Sequence, residues 1–131
     1  MRQRVLRCFI CFIFALAGFA GTAHAKEQRP FAEDAFRAEQ DSGKTILIEI
    51  HADWCPTCKM QLPILDRLSR LPAYSGIERF RVDFDAQKRV VTRFKAASQS
   101  TLVLFKGKTE LARSVGETDE GRIRAMLDKA R

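Results

Sequence analysis

The hexapeptide at residues 54–59, Trp-Cys-Pro-Thr-Cys-Lys, is the sequence feature that most constrains the fold. It lies between an apolar run at 46–50 and a helical pattern that begins at residue 56. If that run is a buried strand and residues 56 to about 71 form a helix, Cys55 lies at the helix N-terminus. Backbone N–H groups and the positive end of the helix dipole there favour a thiolate. Cys58 follows one turn later on the same face, close enough to form a disulfide with Cys55.

The first 25 residues are typical of a cleavable export signal. Three arginines precede an uncharged stretch at 8–20, and Ala23-His24-Ala25 fits the small-x-small cleavage pattern. The uncharged stretch is shorter than the roughly 20 residues that a membrane-spanning helix needs. We therefore expect a signal peptide at 1–25, cleavage after Ala25 and export to the periplasm. A retained membrane anchor is the alternative.

The cysteine count indicates redox chemistry. Cys8 and Cys11 fall within the predicted signal, so the mature chain keeps only Cys55 and Cys58. Disulfides persist in exported compartments. A bridge over two intervening residues removes little entropy from the unfolded chain, so it is a poor structural staple. We therefore predict that Cys55 and Cys58 form a redox-active disulfide.

The charge pattern gives no sign of nucleic-acid binding. The net charge is +7, but the signal carries three of the arginines, and the other basic residues are interspersed with acids. No basic block or aromatic-interleaved stretch accompanies them, so we expect no nucleic-acid partner.

Residues 26–131 are predicted to form one domain of the α/β class. Residues 26–30 are predicted to be a short polar tail. A turn at 106–108 joins the last two strands into a hairpin. This order predicts a mixed central sheet with helices on both faces. The predicted helices lie at about 31–40, 56–71, 86–95 and 117–130, and the strands at about 45–51, 77–85, 101–105 and 110–115.

From about Ile46 to the C-terminus, the chain resembles thioredoxin. The Trp-Cys-x-x-Cys-Lys motif stands between a strand and a helix, and Pro63 falls where thioredoxins carry a kinking proline. The resemblance implies a thioredoxin-like three-layer sandwich and thiol–disulfide oxidoreductase activity. The cysteines themselves would carry the electrons, so we expect no cofactor and no metal.

Three further positions carry over from the resemblance. Glu49 aligns with a buried acid, whose pKa burial would raise and which could exchange a proton with Cys58; an edge-facing glutamate is the alternative. Arg81 aligns with a basic residue near that acid, or is an ordinary surface arginine. Trp54 aligns with a tryptophan that we interpret as a lid over the site, with simple packing as the alternative.

Ser100 departs from the family pattern. Thioredoxins usually have a cis proline at this position, before a threonine. A cis peptide bond before another residue costs about 2.5–4 kcal/mol, so we expect a trans bond or a rearranged loop. Ser100 could then bind a peptide, bind a sulfur, or only fill the loop. The candidate substrate-binding residues are Trp54, Pro56, Thr57, Ser100 and Thr101.

The leading hypothesis is an exported enzyme that reduces protein disulfides. The Cys55 thiolate attacks a disulfide, and Cys58 then attacks Cys55 and releases the reduced substrate. Resemblance to small periplasmic thioredoxin-like proteins favours the reducing direction, implies a membrane electron donor that recharges the pair, and leaves a monomer as the default.

The alternative hypothesis is a copper-binding or chaperone module. Cys55, Cys58 and His51 could hold Cu(I), because loss of the proline would leave the sulfurs more accessible. A binding domain with vestigial cysteines is the third possibility.

Overall fold

A computed structural model describes residues 26–131. The predicted signal peptide, its cleavage site and the alternative membrane anchor lie outside these residues. Within 26–131, no helix is both long and apolar enough to cross a membrane.

The described chain has five strands and four helices, followed by a 3₁₀ turn at Asp128–Ala130. The strands are β1 (Arg29–Pro30), β2 (Thr45–His51), β3 (Glu78–Asp83), β4 (Thr101–Lys106) and β5 (Thr109–Val115). The helices are α1 (Glu33–Asp41), α2 (Pro56–Ser69), α3 (Lys88–Arg93) and α4 (Glu120–Leu127).

The strands form one mixed sheet in the order β1-β3-β2-β4-β5. β2 pairs with β3 in parallel and with β4 in antiparallel, so β2 is the central strand. Parallel strands need a crossover, and α2 supplies it between β2 and β3. The end of β2 and the start of α2 therefore place the Cys-x-x-Cys motif at one end of the sheet.

Alternation along β2 divides the core between the two faces of the sheet. Ile46, Ile48 and Ile50 pack in one cluster with Phe36 of α1 and Val91 of α3. On the other face, Leu47 packs against α2 and α4 in a second cluster. Successive side chains of a strand point to opposite faces, which explains this division. Both clusters belong to residues 26–131, so this segment has the core that an independently folding domain needs.

The predicted α/β sandwich is confirmed, with one element missed. Arg29 and Pro30 are not a simple tail, because they pair in parallel with Phe80 and Arg81 and extend the sheet by a short strand. Two residues carry too little pattern to predict a strand. The predicted hairpin is confirmed, and Gly107 at its turn has a φ of 55°, a conformation that glycine adopts without strain.

Candidate active site

Cys55 is the N-cap residue of α2, as the sequence predicts. Its backbone is extended, with φ −80° and ψ 114°, and Pro56 occupies the first helical position. Proline suits that position because its missing N–H would have no partner there. The Cys58 backbone N–H donates to Cys55 Sγ at 3.1 Å. The helix start thus supplies a donor to the first sulfur.

Both cysteines are free thiols and buried, and their pKa values move in opposite directions. Burial by itself raises the pKa of Cys55, but hydrogen bonds from the Cys58 thiol, the Ser100 hydroxyl and the backbone of Cys58 and Thr57 together lower it. Burial raises the pKa of Cys58, and the neighbouring Cys55 raises it further. The reduced pair therefore carries its negative charge on Cys55.

Ser100 lies directly against the two sulfurs. Its Oγ is 3.0 Å from Cys55 Sγ and 3.2 Å from Cys58 Sγ. The peptide bond before it is trans, which confirms that expectation, and its φ is 61°. Of the roles predicted for Ser100, the structure supports contact with the sulfurs.

The backbone of Ser100 is already hydrogen-bonded within the protein. Its N–H donates to the Ile50 carbonyl at 2.8 Å, and its carbonyl accepts from the Gly116 N–H at 3.0 Å. The Gln61 side-chain amide also donates to that carbonyl, at 3.2 Å. These hydrogen bonds hold the Ser100 backbone in place, and the predicted binding of a peptide substrate by Ser100 stays a prediction.

The sulfurs are buried, whereas the copper hypothesis assumed accessible sulfurs. Cys55 and Cys58 are each only 1% exposed, because the serine side chain packs onto both. Thr101 is fully buried, and its hydroxyl donates to the Ser98 carbonyl at 2.7 Å. Its side chain is therefore used within the protein, and the predicted role of Thr101 in substrate binding stays a prediction.

Three of the predicted substrate-binding residues lie at or near the surface beside Cys55. Trp54 is 58% exposed, and its indole Nε1 donates to the Asp85 carboxylate at 2.7 Å. Pro56 is exposed and Thr57 is half-buried. A disulfide that approaches Cys55 from outside meets these residues, whose roles in binding, including that of Trp54 as a lid, stay predictions.

Glu49 is buried on the face of the sheet that α2 covers, as the resemblance implies. Arg79 donates to both of its oxygens, at 2.7 and 3.2 Å, and the Gln28 side-chain amide donates to one of them. Burial raises the pKa of Glu49, and the Arg79 guanidinium opposes that rise. These contacts join Glu49 to other side chains than Cys58, so its predicted proton exchange with Cys58 stays a prediction.

The basic partner of Glu49 is Arg79, and the pairing predicted for Arg81 is wrong. Arg81 instead donates to Asp53 at 2.9 Å, and Asp53 is exposed. Arg79 is 3% exposed and also donates to Asp66 of α2 at 2.8 Å. Helix α2 covers this face of β3, so a position that the strand pattern assigned to solvent is buried.

His51 does not complete a metal site with the cysteines. Its Nε2 lies 3.2 Å from the Asp53 carboxylate, and burial lowers its pKa. In the part of the chain that the structure describes, no group of three or more His, Cys, Asp or Glu side chains could hold a metal ion. The copper hypothesis therefore has no structural support within residues 26–131.

Sequence reasoning missed Gln61, which helps to fix the loop behind the sulfurs. Gln61 is buried, and its amide donates to the carbonyls of Ser100 and Glu117, the latter at 2.8 Å. It lies three residues after Cys58, on the same face of α2. That spacing was the signal that could have identified it.

Comparison with known proteins identifies the family. The family model described as Thioredoxin matches residues 27–129. A thioredoxin of Chlamydia muridarum is 35% identical over 98 residues, which cover 75% of this chain and 93% of the relative. A thioredoxin H-type of Fagopyrum esculentum is 31% identical over 83 residues, covering 63% of this chain and 70% of the relative.

Solved structures of similar proteins share the fold. The crystal structure of Trxlp from Edwardsiella tarda has a TM-score of 0.75 and 38% identity, over 77% of this chain and 98% of that one. The thioredoxin of Malassezia sympodialis has a TM-score of 0.72 and 25% identity, over 82% and 92% of the two chains.

Proposed function

Because this chain belongs to the thioredoxin family, we propose that it is an exported enzyme whose Cys55–Cys58 pair reduces protein disulfides in the periplasm. A family member with both cysteines in place is a thiol–disulfide oxidoreductase of the thioredoxin type. The export, the reducing direction and the partners are the parts that we propose.

One observation carries the proposal, namely the N-cap position of Cys55. Its sulfur accepts from the Cys58 N–H at 3.1 Å, and its pKa lies below that of an ordinary thiol although burial opposes this. The thiolate is the form that attacks a disulfide. Cys58, with its raised pKa, stays protonated until the mixed disulfide forms.

The catalytic cycle uses only these two sulfurs. The Cys55 thiolate attacks one sulfur of the substrate disulfide, and the other substrate sulfur leaves as a thiolate, which takes a proton from water. Cys58 then loses its proton and attacks Cys55, which releases the second substrate thiol and leaves the Cys55–Cys58 disulfide. A membrane electron donor would return two electrons and two protons to this disulfide.

Trapping the mixed disulfide tests the activity. Residues 26–131 are incubated with a disulfide-bonded protein and a dithiol reductant, and we expect catalytic reduction by the unaltered domain. The Cys58→Ser variant should accumulate a covalent adduct through Cys55, and the matched Cys55→Ser variant should not. Absence of turnover, together with copper retained on purification, would favour the copper-binding alternative.

The direction is tested by equilibration against glutathione buffers. A reduction potential near or below roughly −200 mV supports a reductant, whereas one near about −120 mV indicates an oxidant. The export prediction is tested with the full chain in a bacterium that has a periplasm. We expect a periplasmic product that begins at Lys26. A full-length product in the membrane fraction would instead indicate an anchor.

A further inference from the structure

The Ser100 hydroxyl is within hydrogen-bonding distance of both reacting atoms. It lies 3.0 Å from Cys55 Sγ and 3.2 Å from Cys58 Sγ, and Ser100 is only 3% exposed. A serine hydroxyl has one O–H donor and two acceptor lone pairs. It can therefore donate to one sulfur while it accepts from the other.

The backbone at Ser100 is held in a conformation that is uncommon for serine. Its φ of 61° lies in the left-handed region, which glycine adopts without strain. Hydrogen bonds to Ile50, Gly116 and Gln61 hold both backbone polar groups in place. Strained residues persist where their surroundings over-determine them, and they concentrate at functional sites. Glycine would satisfy this backbone, so the feature that serine adds is the hydroxyl.

The other donors show which sulfur receives the O–H. Cys55 Sγ accepts from the Cys58 backbone N–H at the start of α2. Two donors at the same sulfur favour negative charge there, because hydrogen bonds to a charged form stabilise that form. Cys58 then keeps its proton, and its S–H is a further donor to Cys55 Sγ.

We propose that Ser100 is a catalytic residue, which donates its O–H to the Cys55 thiolate in the reduced enzyme. This inference rests on thiol–disulfide exchange by the pair and is independent of the direction that we propose for it.

The hydrogen bond acts on the reduced form only. The Cys55 thiolate loses its charge when it attacks the substrate disulfide. Cys58 then gives up its proton and attacks Cys55, which breaks the bond between Cys55 and the substrate sulfur and forms the Cys55–Cys58 disulfide. The uncharged disulfide is a much weaker acceptor than a thiolate. Ser100 therefore stabilises the dithiol relative to the disulfide and makes the pair more oxidising than it would be without the hydroxyl.

Two variants of residues 26–131 remove the hydroxyl in different ways. Ser100→Ala keeps the side-chain carbon, and Ser100→Gly also relieves the backbone strain. Both should raise the pH at which Cys55 becomes reactive to an alkylating reagent. The second measurement is the ratio [GSH]²/[GSSG] at which half of the Cys55–Cys58 pair is reduced. Both variants should raise this ratio by about tenfold, as expected for loss of a hydrogen bond to a charged group.

Two control variants match these changes away from the sulfurs. Ser98→Ala removes a hydroxyl from the same loop. Lys95→Gly relieves the other non-glycine residue with positive φ in the described chain, at 51°. Both controls should keep the parent pH dependence and glutathione ratio.

The possible results separate this inference from the function on which it rests. If both Ser100 variants still exchange with glutathione and have the pH dependence and the glutathione ratio of the parent, the role of Ser100 is overturned. The proposed oxidoreductase function is then unaffected. Equal shifts in the Ser98 or Lys95 variants would also overturn it, because loop geometry alone would then explain the effect. Failure of the unaltered domain to exchange with glutathione would contradict both.

Discussion

Two polar clusters handle charge in different ways, one at the end of the sheet where α2 begins and the other where α2 covers β3. The thiol cluster consists of Cys55, Cys58 and Ser100. The Ser100 hydroxyl contacts both sulfurs, and the Cys58 backbone N–H donates to Cys55 Sγ. The ion-pair cluster consists of Glu49, Arg79 and Asp66, in which the Arg79 guanidinium contacts both carboxylates.

The difference shows how one small core accommodates both a reactive charge and a fixed charge. Uncharged hydrogen-bond donors stabilise a thiolate when it is present. When a disulfide replaces the thiolate, no uncompensated charge is left in the core. A buried guanidinium and carboxylate must stay together, because either one alone would be an uncompensated charge. The thiol cluster is therefore suited to chemistry, and the ion-pair cluster to holding α2 on β3.

The largest expected effect comes from breaking the ion-pair cluster. Arg79→Ala leaves Glu49 buried without its guanidinium, and we expect the free energy of unfolding to fall by about 3–5 kcal/mol. Arg81→Ala is the matched control. Its exposed pair with Asp53 should contribute at most about 1 kcal/mol. Urea unfolding of both variants measures the difference, and similar losses in the two would contradict the assignment of Arg79 as the partner of Glu49.

A smaller effect is expected when the family's usual proline is placed in the thiol cluster. Proline requires a φ near −65° and has no N–H, whereas Ser100 has a φ of 61° and donates to the Ile50 carbonyl. We therefore expect Ser100→Pro to lower the free energy of unfolding by about 3 kcal/mol. Ser100→Ala keeps the N–H and serves as the control in the same urea titration. Parent-like stability of the proline variant would show that the loop adopts a second conformation.

Glu49→Gln tests whether the two clusters work separately. The amide keeps one acceptor for Arg79 but removes the charge, so we expect a loss of about 1–3 kcal/mol in unfolding free energy. The rate at which Cys55 is alkylated should change by less than about twofold, because no contact joins the two clusters directly. A slower second step of exchange, with Cys55 unaffected, would instead support the proton exchange predicted between Glu49 and Cys58.

The smallest effect is a pH dependence of stability that only the reduced domain shows. The pKa of Cys55 is lower in the folded domain than in the unfolded chain, so the Cys55 thiolate stabilises the folded domain. This stabilisation is complete above the ordinary thiol pKa and is lost as the pH falls through the pKa that Cys55 has in the folded domain. The pKa of Cys58 is raised in the folded domain, so protonated Cys58 stabilises the folded domain below the ordinary thiol pKa. This stabilisation is lost as the pH rises through the pKa that Cys58 has in the folded domain. Unfolding of reduced and oxidised domains across pH isolates both contributions. A constant difference between the two would contradict them.

Most of the sheet was predictable because β2 and β4 are strongly apolar. The start of α2 was predictable because the spacing of apolar residues changes there from that of a strand to that of a helix. Cys55 at a helix start was predictable for the same reason. Arg79 was not, because alternation in β3 places charged residues on one face, and only the tertiary packing of α2 shows that this face is buried. The position of Ser100 was recognisable as a departure, but its contact with both sulfurs depends on a backbone conformation that no local pattern specifies.

The pH dependence of Cys55 alkylation, measured in the native and in the urea-unfolded reduced domain, tests the central claim most directly. Peptide mapping by mass spectrometry separates Cys55 from Cys58. If the helix start and Ser100 hold a thiolate on Cys55, the midpoint of its reactivity lies at lower pH in the native domain than in the unfolded chain. Equal midpoints, or a higher one in the native domain, would contradict the claim that this buried sulfur carries the reactive charge.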